Sequence, residues 1–243
     1  MIQPFIQVID FETTGLIDPQ PIQYGEVLIN RDEIYLASQV LIKPTKPIEW
    51  GAMGVTGITP EYIEDNHELT YNEVSDGMGW VQDVTTHLIT HNATYDLKFI
   101  HPESLTNVKV VCTLKLARKL IDKSLCGDHK NSTLYYYLGC YKNPIGKEYI
   151  TSTHSALTDA MMTANILLKL LDNFNLTIDQ AYDLINAPDK PEDITICPFN
   201  KHIGKKWEVV IRDDKDYLTW LIGSGKIKNV DMKNYLDKLI GGN

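Results

Sequence analysis

Two acids separated by one aromatic residue, Asp10-Phe11-Glu12, follow an apolar run of Phe5, Ile6, Val8 and Ile9 and lead into Thr13-Thr14-Gly15-Leu16. The run reads as a buried strand. Residues two apart in a strand share a face, so Asp10 and Glu12 point one way and Phe11 into the opposite layer. Adjacent carboxylates at the end of a buried strand repel each other and lose hydration. A cation between them removes both costs, and an all-oxygen donor set suits Mg²⁺ or Mn²⁺ rather than zinc. Gly15 lets the backbone turn, which would leave the amides of Thr13 and Thr14 free to meet a substrate. Taken alone, the same pattern also fits two acids that happen to fall at a strand-to-turn junction.

His91-Asn92-Ala93-Thr94-Tyr95-Asp96 forms a second candidate. It lies where a short strand, 87–90, hands over to a helix, 93–100, with Asn92 as the N-cap. An acid in the first turn of a helix is favoured by the macrodipole, which accounts for Asp96 without any chemistry. The third candidate is His154-Ser155-Ala156-Leu157-Thr158-Asp159. On one continuous helix His154 and Asp159 would diverge by about 140°. They converge only where His154 precedes the helix and Ser155 caps it. Asp159 shares its helical face with Met162, Thr163, Ile166 and Leu170, and an acid on so apolar a face is costly unless paired or metal-bound. Four acids and a histidine at junctions facing one end of a sheet weaken the purely structural readings together.

Asp10-Phe11-Glu12-Thr13-Thr14-Gly15, His91-Asn92-x-x-x-Asp96 and His154-x-x-x-x-Asp159 resemble, in order and spacing, the three motifs of the DEDDh family of 3′-to-5′ exonucleases, over residues 2–172. The resemblance implies a ribonuclease-H-like fold and two-metal hydrolysis of the terminal phosphodiester at a 3′ end, releasing nucleoside 5′-monophosphates. In its terms Asp10 bridges two Mg²⁺ (or Mn²⁺) ions, Glu12 and Asp159 complete one site, Asp96 holds the other, and His154 is the general base. Two cations ~4 Å apart can activate a water and stabilise the leaving oxygen, and an imidazole titrates where a base is useful. The substrate contacts it implies are Phe11, Thr13, Thr14, Gly15, Leu16, Thr56, Ile58, His91, Asn92 and Tyr95. One departure stands out: many relatives carry a His-containing triplet after the third strand, where this chain has Thr56-Gly57-Ile58.

The block Val111 to Arg118 and the tail Pro198-Phe199-Asn200-Lys201-His202-x-Gly204-Lys205, with Tyr217-Leu218-x-Trp220-Leu221, resemble a DNA-degrading branch of that family. The expected substrates are therefore 3′ ends of single- and double-stranded DNA, in repair or recombination. RNA 3′-end trimming and polymerase proofreading are the alternatives. No organic cofactor and no membrane are implied, and the oligomeric state is open.

The elements that must position these residues are legible in outline. Ile22 to Ile29 and Ile34 to Ile42 read as strands joined at Asn30-Arg31-Asp32-Glu33, so the first three strands form an antiparallel meander. Pro44 and Pro47 end the third, Gly51 to Thr59 reads as a loop, and Pro60 opens a short helix. A weakly periodic stretch, 71–86, reads as a helix. Strands at 87–90 and 108–112 alternate with helices at 93–100 and 113–121. The strongest helix runs from Ser155 to about Leu171, with Leu157, Ala160, Met161, Ala164, Leu167, Leu168 and Leu171 as one stripe. The fold class is α/β: a mixed five-stranded sheet, meander plus parallel strands, flanked by helices.

Two prolines among charges at 186–193 mark a linker. The expected organisation is a nuclease domain over 1–172, a helical connector and linker over 173–193, and a small basic α+β module over 194–243. After residue 193 there are nine Lys/Arg against six Asp/Glu, a net of +3, leaving −12 for the remainder of a chain whose total is −9. The acidic total argues against a broad basic nucleic-acid surface. The tail's Lys201, Lys205 and Lys206 are the candidate DNA contacts, while Trp207, Tyr217 and Trp220 are expected mainly in a mini-core. The cysteines, Cys112, Cys126, Cys140 and Cys197, show no C-x-x-C pairing. No apolar run approaches the ~20 residues of a membrane span and the start lacks signal-peptide character, so a reducing cytoplasm is the expected compartment.

Overall fold

The computed structural model describes residues 5–30, 33–75, 80–151, 154–187, 194–202 and 204–241. The expected turn residues Arg31 and Asp32 and the linker positions 188–193 lie outside them. The chain divides into two compact units, 1–187 and 188–243.

In the first unit the order is β1 (Phe5–Thr13), β2 (Pro21–Asn30), β3 (Glu33–Lys43), α1 (Trp50–Thr56), α2 (Pro60–Asn66), β4 (Leu69–Thr70), α3 (Tyr71–Ser75), β5 (Thr85–Thr90), α4 (Ala93–Asp96), β6 (Lys109–Cys112), α5 (Thr113–Leu120), α6 (Lys123–Cys126), α7 (Asn131–Tyr137), α8 (Ala156–Asn173) and α9 (Ile178–Asn186). The sheet has six strands, in the order β4-β3-β2-β1-β5-β6. The meander is antiparallel and β5 and β6 run parallel to β1. The sixth strand, beyond the five expected, is the two-residue β4 at the edge beside Ile42 and Lys43. Two residues are too few to carry a period.

Alternation along β1 assigns its side chains to two layers. Val8 packs with Val27, Ile89 and the buried face of α8. Ile9 and Phe11 pack with Tyr24, Trp80, Leu88 and Ile100 on the other face. α8 is buried around most of its circumference, including Met161, Met162, Ile166 and Leu167. Each such side chain removed from water contributes roughly 1.5–3 kcal/mol. Helix and sheet approach so closely that a Cβ on Gly25 would lie 2.3 Å from the Ala156 carbonyl carbon.

Several local expectations are revised. The stretch read as a loop after Pro47 contains α1, which buries none of its residues and so has no amphipathic signature. The helix expected over 71–86 ends, among the described residues, at Ser75. Trp80 lies in a loop tied to the sheet: its carbonyl accepts from Gln7 Nε2 (2.7 Å) and lies 3.0 Å from the Tyr24 hydroxyl. The helix after Asn92 is α-helical only to Asp96 and continues as a 3₁₀ turn, Leu97–Phe99. Helix α9, expected to belong to a separate connector, packs on the first core through the fully buried Ala181. Its Asp179 also accepts from Lys109 and lies 3.3 Å from His87 Nε2.

The second unit is helical rather than α+β. Among its described residues the α-helices are α10 (Trp207–Asp213), α11 (Lys215–Gly223) and α12 (Val230–Gly241), and a single bridge joins Ile196 to Lys206. Trp207 is buried with Cys197, Leu218, Leu221 and Leu236, whereas Trp220 is 53% exposed. Among the described residues no helix is long and apolar enough to cross a membrane.

Candidate active site

β1 ends at the edge of the site. Asp10 pairs across the ribbon with Gly25, and Glu12 with Gln23, so these four residues share the face that carries α8. Gly25 opposite Asp10 opens the space into which the first turn of α8 descends. Gln23 opposite Glu12 uses that approach: its Oε1 accepts from the Ala156 amide at 2.8 Å. Ser155, expected as the cap of this helix, makes no capping bond, and its hydroxyl donates instead to Gln39 Oε1 at 3.1 Å. One orphan amide of the helix start is therefore satisfied from the sheet.

His154 has φ +64°, a left-handed conformation that is uncommon for a residue with a side chain. It turns the chain just before α8, and this is what brings His154 and Asp159 together despite their spacing. Ligand-capable atoms of Glu12, His154 and Asp159 all lie within 4.8 Å of one another. The Asp159 carboxylate also accepts a backbone hydrogen bond from His154. The Asp159 carbonyl is held at 3.0 Å by the Asn131 side chain at the start of α7.

Asp96 closes α4, the short helix that follows β5, and is buried. It accepts hydrogen bonds from the Thr90 hydroxyl and the Phe11 backbone. Burial raises the acids' affinity for protons, and so does their mutual repulsion. Asp10 is pushed well above the usual carboxylate range by desolvation and then by Asp96, Asp159 and Glu12. Desolvation, with Asp159 and Asp96, pushes Glu12 up to about 7. Desolvation lifts Asp96 to about 6 against the pull of its hydrogen bonds. It raises Asp159 too, although the nearby His154 offsets part of the effect. The donor set is anionic, oxygen-rich and self-repelling, and fits one or more hard divalent cations.

The other expected contacts divide sharply. Leu16 is 82% exposed, so it is not a core residue. The Thr13 and Tyr95 hydroxyls lie 2.6 Å apart, and 3.0 and 3.2 Å from the Gly15 carbonyl; with one proton each, one donates to the other and the second to that carbonyl. The Thr14 amide is not free: it donates to the Gln20 carbonyl at 2.9 Å. The Phe11 ring sits in the opposite layer among Tyr24, Trp80 and Phe99, leaving only its backbone at the site. Ile58 is buried with Ile22, Leu41, Ile48 and Ile63, and the Thr56 hydroxyl is spent on the Ala52 carbonyl and the Ile58 amide.

His91 engages both ring nitrogens, Nδ1 with the Thr113 hydroxyl and Nε2 with the His129 carbonyl, each at 2.9 Å. A carbonyl can only accept, so Nε2 carries the proton and Nδ1 accepts from Thr113. Burial holds this imidazole neutral, with its pKa lowered to about 4. It positions the 129–131 segment and has no hydrogen-bonding atom left for a nucleotide. Asn92 is exposed, makes no side-chain cap, and accepts from Thr94. In the second unit Lys201 lies 2.6 Å from Asp214 and over the Tyr217 ring, whereas Lys205 and Lys206 are exposed.

Gln23, Gly25 and Asn131 were not legible as site residues. Only the strand register and the position of α8 reveal them.

Residues 7–167 match the family model described as Exonuclease (RNase_T). The chain is 27% identical to Exodeoxyribonuclease 10 of Escherichia coli K12, over 90% of this chain and 91% of that protein. It is 28% identical to the PolC-type DNA polymerase III of Thermotoga petrophila, over 96% of this chain but only 17% of the polymerase. A solved structure of Exonuclease X in complex with 5′ overhanging duplex DNA superposes with a TM-score of 0.60 at 24% identity. That match covers 74% of this chain and 99% of that one, and establishes the shared fold.

Proposed function

The chain belongs to the exonuclease (RNase_T) family and is a 3′-to-5′ exonuclease of DEDDh type, and from that premise we propose that it shortens DNA from its 3′ ends, single- or double-stranded, releasing nucleoside 5′-monophosphates in repair or recombination. The observation that carries the reading is the convergence of Asp10, Glu12, Asp96 and Asp159 with His154 at one end of the sheet, each acid held in a state that disfavours its charge. The four acids would hold two Mg²⁺ or Mn²⁺ ions. When bound, these supply Lewis acidity toward water and phosphodiester and neutralise the carboxylates.

The chain's own side chains supply the rest. A His154 ring nitrogen takes the proton of the attacking water as its oxygen bonds to phosphorus and the P–O3′ bond breaks. Asp159 fixes the backbone of His154. The Thr13–Tyr95 pair holds the Gly15 turn against which the last nucleotide lies, and Leu16 offers it an apolar contact indifferent to base identity. Of the three candidate tail lysines, Lys205 and Lys206 would contact duplex DNA. Lys201 already has a partner in Asp214.

The testing assay incubates 5′-labelled single-stranded DNA, duplex DNA and RNA with the protein, in Mg²⁺ or in EDTA. The expected result is a ladder shortened from the 3′ end on both DNAs, abolished by EDTA. A ladder on RNA alone would replace DNA with RNA as the substrate. Cleavage that ignores EDTA would remove the metal-dependent chemistry.

A further inference from the structure

The rim of the site exposes three large apolar side chains: Leu16 at 82%, Ile17 at 86% and Trp50 at 87%. An isolated exposed leucine is ordinary, but a tryptophan left almost wholly in water beside two aliphatic neighbours is not. The segments that carry them are stitched together. Gln20, itself buried, accepts through Oε1 from the amides of Thr45 (2.8 Å) and Lys46 (3.2 Å) and donates through Nε2 to the Thr45 hydroxyl (2.9 Å). The Glu49 amide donates to the Thr14 carbonyl at 2.8 Å. The Glu49 carboxyl lies against Gly15 so tightly that a Cβ there would meet its carbon at 2.2 Å. Trp50 therefore opens α1 directly beside the turn that borders Asp10 and Glu12. α1 is held from below by Ile48 and Ile58 in the core, while none of its own residues is buried.

We propose that Trp50 is a base-stacking residue: the indole receives an unpaired base of the nucleic-acid strand whose 3′ end occupies the carboxylate site. The occupant follows from position and chemistry together. An aromatic plane in water next to a site for a phosphodiester can take the π-face of any base, with no sequence readout. The fixed rim costs little ordering on binding. The inference rests on the nucleic-acid reading of the site given above.

The test uses intrinsic fluorescence of the full chain in EDTA. Trp80 and Trp207 are buried, so a Trp220→Phe background leaves Trp50 as the exposed reporter. Titration with a single-stranded dT oligomer is expected to quench this emission, and the quench is expected to vanish in the Trp50→Phe, Trp220→Phe protein. In Mg²⁺, Trp50→Ala is expected to raise KM for single-stranded DNA about 10-fold, and Trp50→Phe, which keeps a ring, by less. Because Trp50 is 87% exposed, these variants fold, and a wild-type circular dichroism spectrum verifies it. A quench that persists without Trp50, or a KM unchanged in Trp50→Ala, overturns the proposal. An oligomer that binds, by the anisotropy of a labelled strand, yet leaves Trp50 emission unchanged also overturns it. A quench through Trp50 in a protein without 3′-end cleavage would overturn the nuclease reading and leave the stacking residue standing.

Discussion

Strands β1 and β2 withdraw acids from water on both of their faces, fully at Glu26 and partly at Asp10 and Glu12. On the face toward Trp80, Glu26 is 6% exposed and receives hydrogen bonds from Gln7 Nε2 at 2.8 Å, the Tyr24 hydroxyl at 3.2 Å and the Ser38 hydroxyl at 3.0 Å. On the face toward α8, Asp10 and Glu12 have carboxylates for neighbours, and their affinity for protons rises accordingly. A buried acid surrounded by donors is a structural element, because the protein itself supplies what water gave up. A desolvated acid left among other acids is costly unless a cation from outside arrives. The same ribbon thus stabilises one face and holds the other ready for a ligand.

The largest effect that would break this contrast is on turnover. Asp10→Asn is expected to lower kcat/KM by about 10³-fold or more, equivalent to ~4 kcal/mol of barrier, while its melting temperature in EDTA stays level or rises because one self-repelling charge is gone. A drop in melting temperature in EDTA would put Asp10 in the same class as Glu26. His154→Ala comes next. Loss of a general base costs typically ~10²–10⁴-fold in kcat, with Mg²⁺ binding by calorimetry retained.

On the opposite face the signs reverse. Glu26→Ala removes an acceptor shared by the buried Gln7 and Tyr24 and the half-buried Ser38, leaving the first two to share the Trp80 carbonyl, and each donor left unpaired costs roughly 1–3 kcal/mol. Chemical denaturation should show a loss of a few kcal/mol, with kcat per folded molecule unchanged. If kcat fell in proportion, the two faces would not be separable.

The smallest effect is a pH dependence that sharpens the comparison. Glu12 and Asp96 have folded-state pKa values of about 7 and about 6, raised from 4.5 and 3.8. The folded protein therefore holds protons that the unfolded chain has released, and this stabilisation fades as pH rises through those values. His91 works in the other direction: its pKa is lowered from 6.5 to about 4, so as pH falls through that interval the unfolded chain gains a proton that the folded chain refuses, and stability is lost. Above pH 6.5 the histidine's share dwindles and the acids dominate. Melting temperature in EDTA should fall between pH 6.5 and 8.5, and the increment produced by Mg²⁺ should grow over the same interval. A Mg²⁺ increment independent of pH would mean that the cation does not meet these carboxylates.

The amino-acid order by itself determined the pairing of Asp10 with Glu12 on one face, because strand geometry places alternate residues together. It also determined the meander and the long buried helix, whose apolar periods are strong. The spacing of His154 and Asp159 left their convergence conditional, and a left-handed residue, φ +64°, decided it. Only tertiary structure decided that Gln23 caps α8, that Gly25 makes room for it, and that His91 is consumed internally, since those partners come from strands and helices distant in sequence. It likewise moved α9 into the first unit and left Trp50 in solvent. Local pattern reports which face a side chain takes. Which neighbour meets that face is fixed by packing between segments that no short-range period can encode.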